Sequence, residues 1–558
     1  MAVLAITAAA VTAPMWFLGN ASGHDFQFHM ASWLDVSGQW REGILYPRWA
    51  EWANFGFGEP RFVFYPPLSW LLGAALGVVL PWKLVPGIFI WIALVVGGLG
   101  MWRMAREWLT PPQAVTAALL YAVNPYHLII VYYRSDFAEL LASAIFPFLI
   151  WRVLRVMRDG WSGAPALAVT FSLAWLTNAP GAVIATYSLA LVLVVCAVYN
   201  RNYRPLVAGG VAMACGFGLA AFYILPAAFE QRWVQISQAL VTLLEPKDNF
   251  LFTHSADPEF LLFNWKVSTV AVAVILIVAI AAILVARRGK RLGPVWWTVL
   301  ALGAASVVMM VPASIVLWRL LPQLAFVQFP WRWMGPLGFA FAFFVGAAPV
   351  RRATQLAAWG SMGILLTALA GAMVSDCWWD SEDIPVLAGG IHSGNGYEGT
   401  DEYQPVGADR YGLPGSDIAY GDPPGPPTPQ IEVVDAGTGK LVAAQNAAGI
   451  TRWTAERREF SYDATKPAIV AVRLLRFPAW RATIDGAPAD TTAAGETGQL
   501  LVKIPEGRHE VLLRFVRTPD RSAGGLISIV FMLVVGGWWI VVKREHQPGN
   551  TMHEKAAN

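Results

Sequence analysis

The chain reads as a mainly α-helical, polytopic membrane protein of about twelve transmembrane helices with a β-sandwich domain near its C-terminal end. Three observations predict this class. Of the 558 residues, 56% are hydrophobic and only 14% charged, against roughly 25% charged in soluble domains. The charges avoid long stretches, and residues 161–200 carry none, so the bilayer is the natural solvent for such runs. Between about 431 and 518 the pattern changes to short alternating runs bounded by turn pairs, the signature of strands.

Taken in order, the expected spans are 1–19, 84–102, 112–132, 137–152, 162–177, 180–199, 205–228, 266–286, 293–312, 333–350, 353–374 and 523–542. Residues 1–19 follow no basic region and precede no soluble domain, so they read as a first span rather than a signal peptide. Pro180-Gly181 breaks the uncharged run 161–200 into two passes. Residues 65–81 open with Pro66-Pro67 and are too short for a full crossing, so they read as a re-entrant or interfacial helix. With the N-terminus inside, every inner turn is basic: Arg103 and Arg106; Arg152, Arg155 and Arg158; Arg201 and Arg204; Arg287, Arg288, Lys290 and Arg291; Arg351 and Arg352; Lys543 and Arg544. That matches the positive-inside rule. The expectation is a multi-pass protein of the inner (cytoplasmic) membrane with both termini cytoplasmic.

The long outer segments are then 20–83, 229–265, 313–332 and 375–522. The organisation read from this is a transmembrane domain over 1–374 carrying the outer loop 20–83, an extracytoplasmic β-rich domain over 375–522, and a last helix with a cytoplasmic tail over 523–558. Residues 375–430, rich in Gly, Pro, Asp and Tyr, read as loops. Strands are expected at 468–475, 480–484, 500–504 and 509–515, and an antiparallel sandwich is their natural packing. A net charge of +3 with no basic stripe argues against a nucleic-acid partner. The 27 Trp residues suit many interfacial segments. The three cysteines suggest no structural disulfide. Walker A, Rossmann, H-E-x-x-H and CxxC motifs are absent.

Charged residues gather at the outer ends of the spans, where they are costly to desolvate and tend to mark function. Asp25 and His29 lie four apart just after the first span, so on a helix they share a face. Arg134, Asp136 and Glu139 lie where spans three and four meet; Asp136 suits a helix cap completed by Glu139. Arg332 sits between Trp331 and Trp333 at the start of the tenth span. The Gly-rich stretch 396–403, with Asp401 and Glu402, suits a network of sugar hydroxyls or a plain surface loop. Acids from two loops beside membrane-level arginines suggest chemistry on a lipid-linked phosphate. One carboxylate would act as general base, and Arg134 and Arg332 would hold phosphate bidentately. Asp25 and Asp136 are the pair that would hold a divalent ion, their oxygens favouring Mg²⁺ or Mn²⁺.

These motifs resemble two related groups. A short acidic motif after the first span, with Tyr65-Pro66-Pro67-Leu68 in the same loop, is similar to the GT-C membrane glycosyltransferases. More closely, His24-Asp25…His29, Leu45-Tyr46-Pro47-Arg48-Trp49, Phe64 to Pro67, Arg134 to Glu139, Gln328 to Trp333, Gly399 to Tyr403 and the ending Phe477…Gly486…His509 resemble membrane proteins labelled 6-pyruvoyl-tetrahydropterin synthase-related and the YfhO-like family. The resemblance implies a GT-C fold that takes a sugar from a polyprenyl-phosphate donor, with Asp25 as the first-loop acid, Asp136 as a second acid and Tyr65 in the binding loop. Gln27 stands where an Asp-x-Asp pair would place its second acid. Nothing in the chain suggests a pterin-synthase site or its zinc histidines.

The leading expectation is therefore a glycosyltransferase acting at the outer face. Asp25, His29, Asp136 and Glu139 would be catalytic; Arg134, Arg332, Tyr65, Asp401 and Glu402 would bind substrate. The partners would be membrane lipid, a polyprenyl-phosphate sugar, and a glycan, lipid or protein acceptor. Two alternatives stay open: a lipid or polysaccharide transporter, and a non-catalytic membrane protein that binds envelope glycans.

Overall fold

A computed structural model describes residues 1–287, 293–348, 352–380, 382–416, 426–435, 440–444 and 448–545. Arg288, Lys290, Arg291 and Arg351 of the basic turns, and most of the tail after the last helix, lie outside the described residues.

The transmembrane domain opens with α1 (Ala2–Leu18), followed in the first long loop by α2 (Phe26–Arg41), the short turns α3 (Ala53–Gly56) and α4 (Arg61–Phe64), and α5 (Pro67–Val79). The bundle continues with α6 (Val85–Ala105), α7 (Pro111–Ala122), α8 (Pro125–Ile129), α9 (Phe137–Asp159), α10 (Ala164–Trp175), α11 (Ala179–Asn200), α12 (Arg204–Leu219) and α13 (Ala221–Glu230). After a second long loop come α14 (Pro258–Ala286), α15 (Pro294–Met309), α16 (Ile315–Leu320), α17 (Met334–Ala347) and α18 (Arg352–Asp376). Then follow α19 (Asp383–Ser393) and, after the β-domain, α20 (Pro519–Glu545).

Among the described residues, six helices or helix runs are long and apolar enough to cross a membrane, or up to eight if two sharply bent pairs each count as one. The bends are 72° between α12 and α13 and 92° between α15 and α16. The expected spans 162–177 and 333–350 form helices of 12 and 14 residues, shorter than the roughly 20 that cross a bilayer unaided. Helix α17 is buried along nearly all its length, with Phe339, Phe341, Phe343 and Phe344 fully enclosed. Small residues let its neighbours approach: a Cβ on Gly346 would stand 3.0 Å from the Ala117 backbone nitrogen. Within 65–81, expected as a re-entrant or interfacial helix, residues Pro67–Val79 form a helix of 13 residues.

Two-residue strands β1 (Asn20–Ala21) and β2 (Trp379–Asp380) pair the end of the first helix with the start of the C-terminal region. The strands β3 (Ile431–Val434), β4 (Leu441–Ala443), β5 (Ala448–Thr454), β6 (Arg457–Ala464), β7 (Ala468–Leu475), β8 (Trp480–Ile484), β9 (Ala487–Ala489), β10 (Thr491–Ala493), β11 (Gln499–Ile504) and β12 (Gly507–Phe515) follow. They form two antiparallel five-stranded sheets, β10-β11-β7-β3-β4 and β5-β6-β12-β8-β9. Val470, Val472, Leu500 and Val502 of one sheet and Phe460, Trp480, Val511 and Leu513 of the other belong to one shared core. Alternation sets the register: β6 buries every second residue, Arg458, Phe460, Tyr462 and Ala464. Asp485 and Gly486, both at positive φ (50° and 81°), close the β8–β9 hairpin.

One reading needs correction. Residues 383–393, expected as loop, form α19; Ile384 and Leu387 are buried at helical spacing, a signal weakened by Gly389-Gly390. The first loop also packs against the sandwich. Trp49 lies 5.7 Å from the Trp480 and Phe515 rings, and Glu51 pairs with buried Arg458 at 3.0 Å.

Candidate active site

The site forms where the first loop is stitched to the α8–α9 junction. After β1, the Gly23 amide donates to Ser135 Oγ (3.0 Å) and the Asp25 amide to the Arg134 carbonyl (2.8 Å). Only glycine fits at 23, since a Cβ would stand 2.4 Å from the Tyr133 carbonyl oxygen. Helix α8 runs into a π-helical turn over Ile130–Arg134 that ends at Ser135 in the left-handed region, φ 53°. Such turns often mark functional sites. The Asp136 side chain then caps α9, its Oδ1 accepting the Glu139 amide at 2.9 Å.

Five charged side chains and one histidine meet here. Arg134 donates through Nη2 to Asp25 Oδ2 (2.5 Å) and Asp136 Oδ2 (3.3 Å), and through Nη1 to Glu139 Oε2 (2.9 Å). Arg332 donates through Nε to Glu139 Oε2 (3.0 Å), through Nη2 to Asp136 Oδ2 (3.5 Å) and through Nη1 to the Val327 carbonyl (2.9 Å). His29 Nε2 lies 3.5 Å from Asp136 Oδ1, and the Tyr126 hydroxyl donates to Glu139. Both guanidiniums lie near the ring of Phe329, and Arg134 also lies 5.0 Å from Trp331. Burial works against the Asp136 charge, yet the His29 hydrogen bond and the two arginines hold its pKa well below the usual carboxylate range.

Asp25, His29, Arg134, Asp136, Glu139 and Arg332 are thus one cluster, with the Tyr65 ring 5.9 Å from that of His29. Three assignments change. The Glu139 carboxylate does not complete a capping pair; it binds Tyr126 and both arginines. Arg134 and Arg332, only 4% and 6% exposed, are engaged by carboxylates rather than open to a phosphate. Asp25 and Asp136 both turn onto Arg134, which stands where a shared cation would sit, and no group of three or more His, Cys, Asp or Glu that could hold a metal occurs among the described residues. The donor set does not fit Mg²⁺ or Mn²⁺ as arranged.

Asp25 is the open member: its side chain is 34% exposed, and among the described residues its Oδ1 has no hydrogen-bond partner. Two hollows are lined by residues next to the cluster in the chain. A cavity of about 720 Å³ lies between α2 and the 389–416 segment, lined by His24, Gln27, Phe28, Phe55, Arg61 and Tyr411 among others. Burial pushes the His24 pKa below its ordinary value. Asp401 and Glu402 lie on this side, outside the charged cluster. Asp401 Oδ1 is 2.7 Å from Arg410 Nε; burial beside Glu59 pushes Glu402 up to about 7. The second hollow, about 540 Å³ and mostly apolar, opens between α14 and α18 and is lined by Tyr133, the neighbour of Arg134, and by Trp265, Lys266, Met373 and Asp376. The Tyr133 hydroxyl (2.9 Å) and Lys266 both donate to Asp376.

Sequence reasoning missed Tyr126, Ser135, Lys266 and the fully buried Glu59–Arg61 pair (2.7 Å). Two opposite charges two positions apart in an aromatic stretch were the available signal for that pair. His127 is buried against Tyr121 with ring centroids 5.0 Å apart.

Among solved structures, the arabinofuranosyltransferase AftD from Mycobacteria is 19% identical, with a TM-score of 0.42 over 69% of this chain and 27% of that one. The apo oligosaccharyltransferase of Archaeoglobus fulgidus is 14% identical, with a TM-score of 0.42 over 67% of this chain and 56% of that one. The chain therefore spans well under two thirds of either protein. No curated protein matches it. The family model described as 6-pyruvoyl-tetrahydropterin synthase related domain, membrane protein, matches residues 62–384, which hold α8, α9, Arg134, Asp136, Glu139 and Arg332; the chain belongs to that family.

Proposed function

We propose that the protein is a membrane glycosyltransferase that moves a sugar from a polyprenyl-phosphate carrier to an acceptor at the extracytoplasmic face of the cytoplasmic membrane. The observation that carries this reading is Asp25: a carboxylate held on one oxygen by Arg134 and open on the other, with its neighbours His24 and Gln27 lining one cavity and Tyr133, next to Arg134, lining a second. Asp25 Oδ1 takes the proton of the acceptor hydroxyl as that oxygen attacks the anomeric carbon. The bond from that carbon to the phosphate oxygen breaks, and the lipid phosphate leaves. Arg134 fixes the carboxylate, and Asp136, Glu139, Arg332 and His29 fix Arg134. Both arginines are enclosed, whereas Lys266, paired with Asp376 but 35% exposed at the rim of the apolar hollow, is the cation that meets the lipid phosphate, and the hollow takes the isoprenoid chain. The cavity beside α2 receives the acceptor.

The orientation rests on charge. Arg103, Arg155 and Arg158 converge on Glu107 near the C-terminal end of α9, while Asp136 caps its N-terminal end; α9 has 23 residues, about 35 Å at 1.5 Å per residue. Basic clusters favour the cytoplasmic side, which supports an outer position for Asp25 and the sandwich.

The test is transfer by purified protein in nanodiscs from a panel of polyprenyl-phosphate sugars. Wild type should transfer from one of them, and Asp25→Asn should be slower by about 10²-fold or more. Equal transfer by both proteins would remove Asp25 from the mechanism. One observation favours a second reading, a non-catalytic glycan-binding protein: the mutual saturation of Arg134, Arg332 and the carboxylates is what a structural clamp needs. No transfer from any donor by well-folded wild type would select it.

A further inference from the structure

We propose that the cavity between α2 and the 389–416 segment is a binding site for a neutral oligosaccharide, gripped between the rings of Phe55 and Tyr411. Its volume, about 720 Å³, is in the range of small-ligand sites. Seating the acceptor there rests on the proposed function; the binding itself does not.

The first argument is strain. Asn54 and Phe55 both adopt the left-handed backbone conformation, φ 50° and 58°. A bulky residue there is a genuine outlier, costing on the order of 1–3 kcal/mol. The surroundings enforce it. The Phe55 amide donates to the Tyr397 carbonyl (3.0 Å), and the Asn54 amide side chain donates to Glu59 Oε2 (3.1 Å). Gly396, itself at φ 74°, packs so closely that a Cβ would stand 2.3 Å from the Trp52 carbonyl oxygen. The result is that the backbone fixes the Cα–Cβ direction of Phe55, whose side chain lines the cavity.

The second argument is Tyr411. Its side chain is 67% exposed, yet its hydroxyl is tied down, accepting from Arg410 Nη2 (2.8 Å) and donating to Asp401 Oδ2 (3.3 Å). A rigid, exposed ring at a cavity mouth is a poor packing element and a good platform for the apolar face of a sugar, at low entropic cost.

The third argument is charge. Arg410 is balanced by Glu398 (2.7 Å) and Asp401 (2.7 Å), and Arg61 by Glu59. The cations in the wall are engaged, and the groups left open are acceptors: among the described residues the Gln27 amide oxygen and the second carboxylate oxygen of Glu398, whose side chain is 66% exposed, have no hydrogen-bond partner. That suits hydroxyls rather than phosphate or carboxylate groups.

The experiment uses the full-length protein in nanodiscs on an array of neutral gluco-, manno-, galacto- and arabino-oligosaccharides, with uronic-acid and sulfated chains alongside, followed by titration of any retained chain. The expected result is saturable binding to at least one neutral series. Tyr411→Ala, a surface change that should leave melting unaltered, should weaken it about tenfold; Tyr411→Phe should keep most of it. Retention of acidic chains alone, no retention by wild type, or indifference to both Tyr411→Ala and Gln27→Ala would overturn the proposal. Intact binding without transfer would leave this site standing and remove only the enzymatic reading.

Discussion

Replacing Arg332 by glutamine should destabilise the protein far more than replacing Glu139 by glutamine, although the two side chains share a hydrogen bond. The cluster sets three carboxylates (Asp25, Asp136, Glu139) against two guanidiniums (Arg134, Arg332). Among these five groups, one negative charge is in excess. Arg332→Gln removes the contacts at 3.0 Å to Glu139 and 3.5 Å to Asp136 and raises the excess to two. Each such pair is worth on the order of 4 kcal/mol at an effective dielectric of ~20. The desolvation that the guanidinium no longer needs offsets much of this, leaving about 3–5 kcal/mol lost. Glu139→Gln keeps the shape and an oxygen that can still accept from both arginines, and it cancels the excess charge. Its cost should stay under about 2 kcal/mol, the difference between charge-assisted and neutral hydrogen bonds. The assay is thermal melting in nanodiscs followed by tryptophan fluorescence, read as a ranking because a chain of this size is not two-state. The charge argument fails if Glu139→Gln melts below Arg332→Gln. It also fails if the double variant is strictly additive, since members of one network should couple by roughly 0.5–3 kcal/mol.

Other outcomes follow from single contacts. Lys266→Gln should raise KM for the lipid donor about tenfold with kcat little changed, as expected for a group that meets the phosphate and not the reacting atoms; a change confined to kcat would contradict that placement. Burial pushes the Asp35 carboxyl, hydrogen-bonded to Gln39, Trp52 and Tyr397, from 3.8 up to about 7. A raised carboxyl contributes stability that is complete below its unfolded pKa and is lost as pH rises through its folded value. Melting should therefore fall between about pH 4 and pH 7, and Asp35→Asn should flatten that slope; an unchanged slope would assign it to other groups. Gly396→Ala forces a Cβ into the Trp52 carbonyl at positive φ, so it should cost about 1–3 kcal/mol and speed proteolysis within 389–416. Unaltered cleavage would mean that the loop is held elsewhere.

The strands were legible because their signals are local: alternation and turn pairs place 468–475 and 480–484 with no knowledge of their neighbours. Membership of the cluster was legible for a different reason. Charge at the end of an apolar span is expensive and therefore scarce, so Asp25, Arg134, Asp136, Glu139 and Arg332 stand out along the chain. Their partners were not legible. Asp25 meets Arg134 across 109 positions and Arg332 meets Glu139 across 193, and nothing local distinguishes an arginine that waits for phosphate from one already facing a carboxylate. The same blindness hid Trp49, whose neighbourhood reads as interfacial while its ring lies in the sandwich core, and α19, whose apolar spacing is diluted by two glycines. It also explains why Asp25 carries the functional argument. Arg134, Asp136, Glu139 and Arg332 are enclosed and bind one another, which satisfies their burial without any ligand. Asp25 shares their arginine yet keeps one oxygen in the open, so it is the member of the cluster that a ligand can reach without breaking the network.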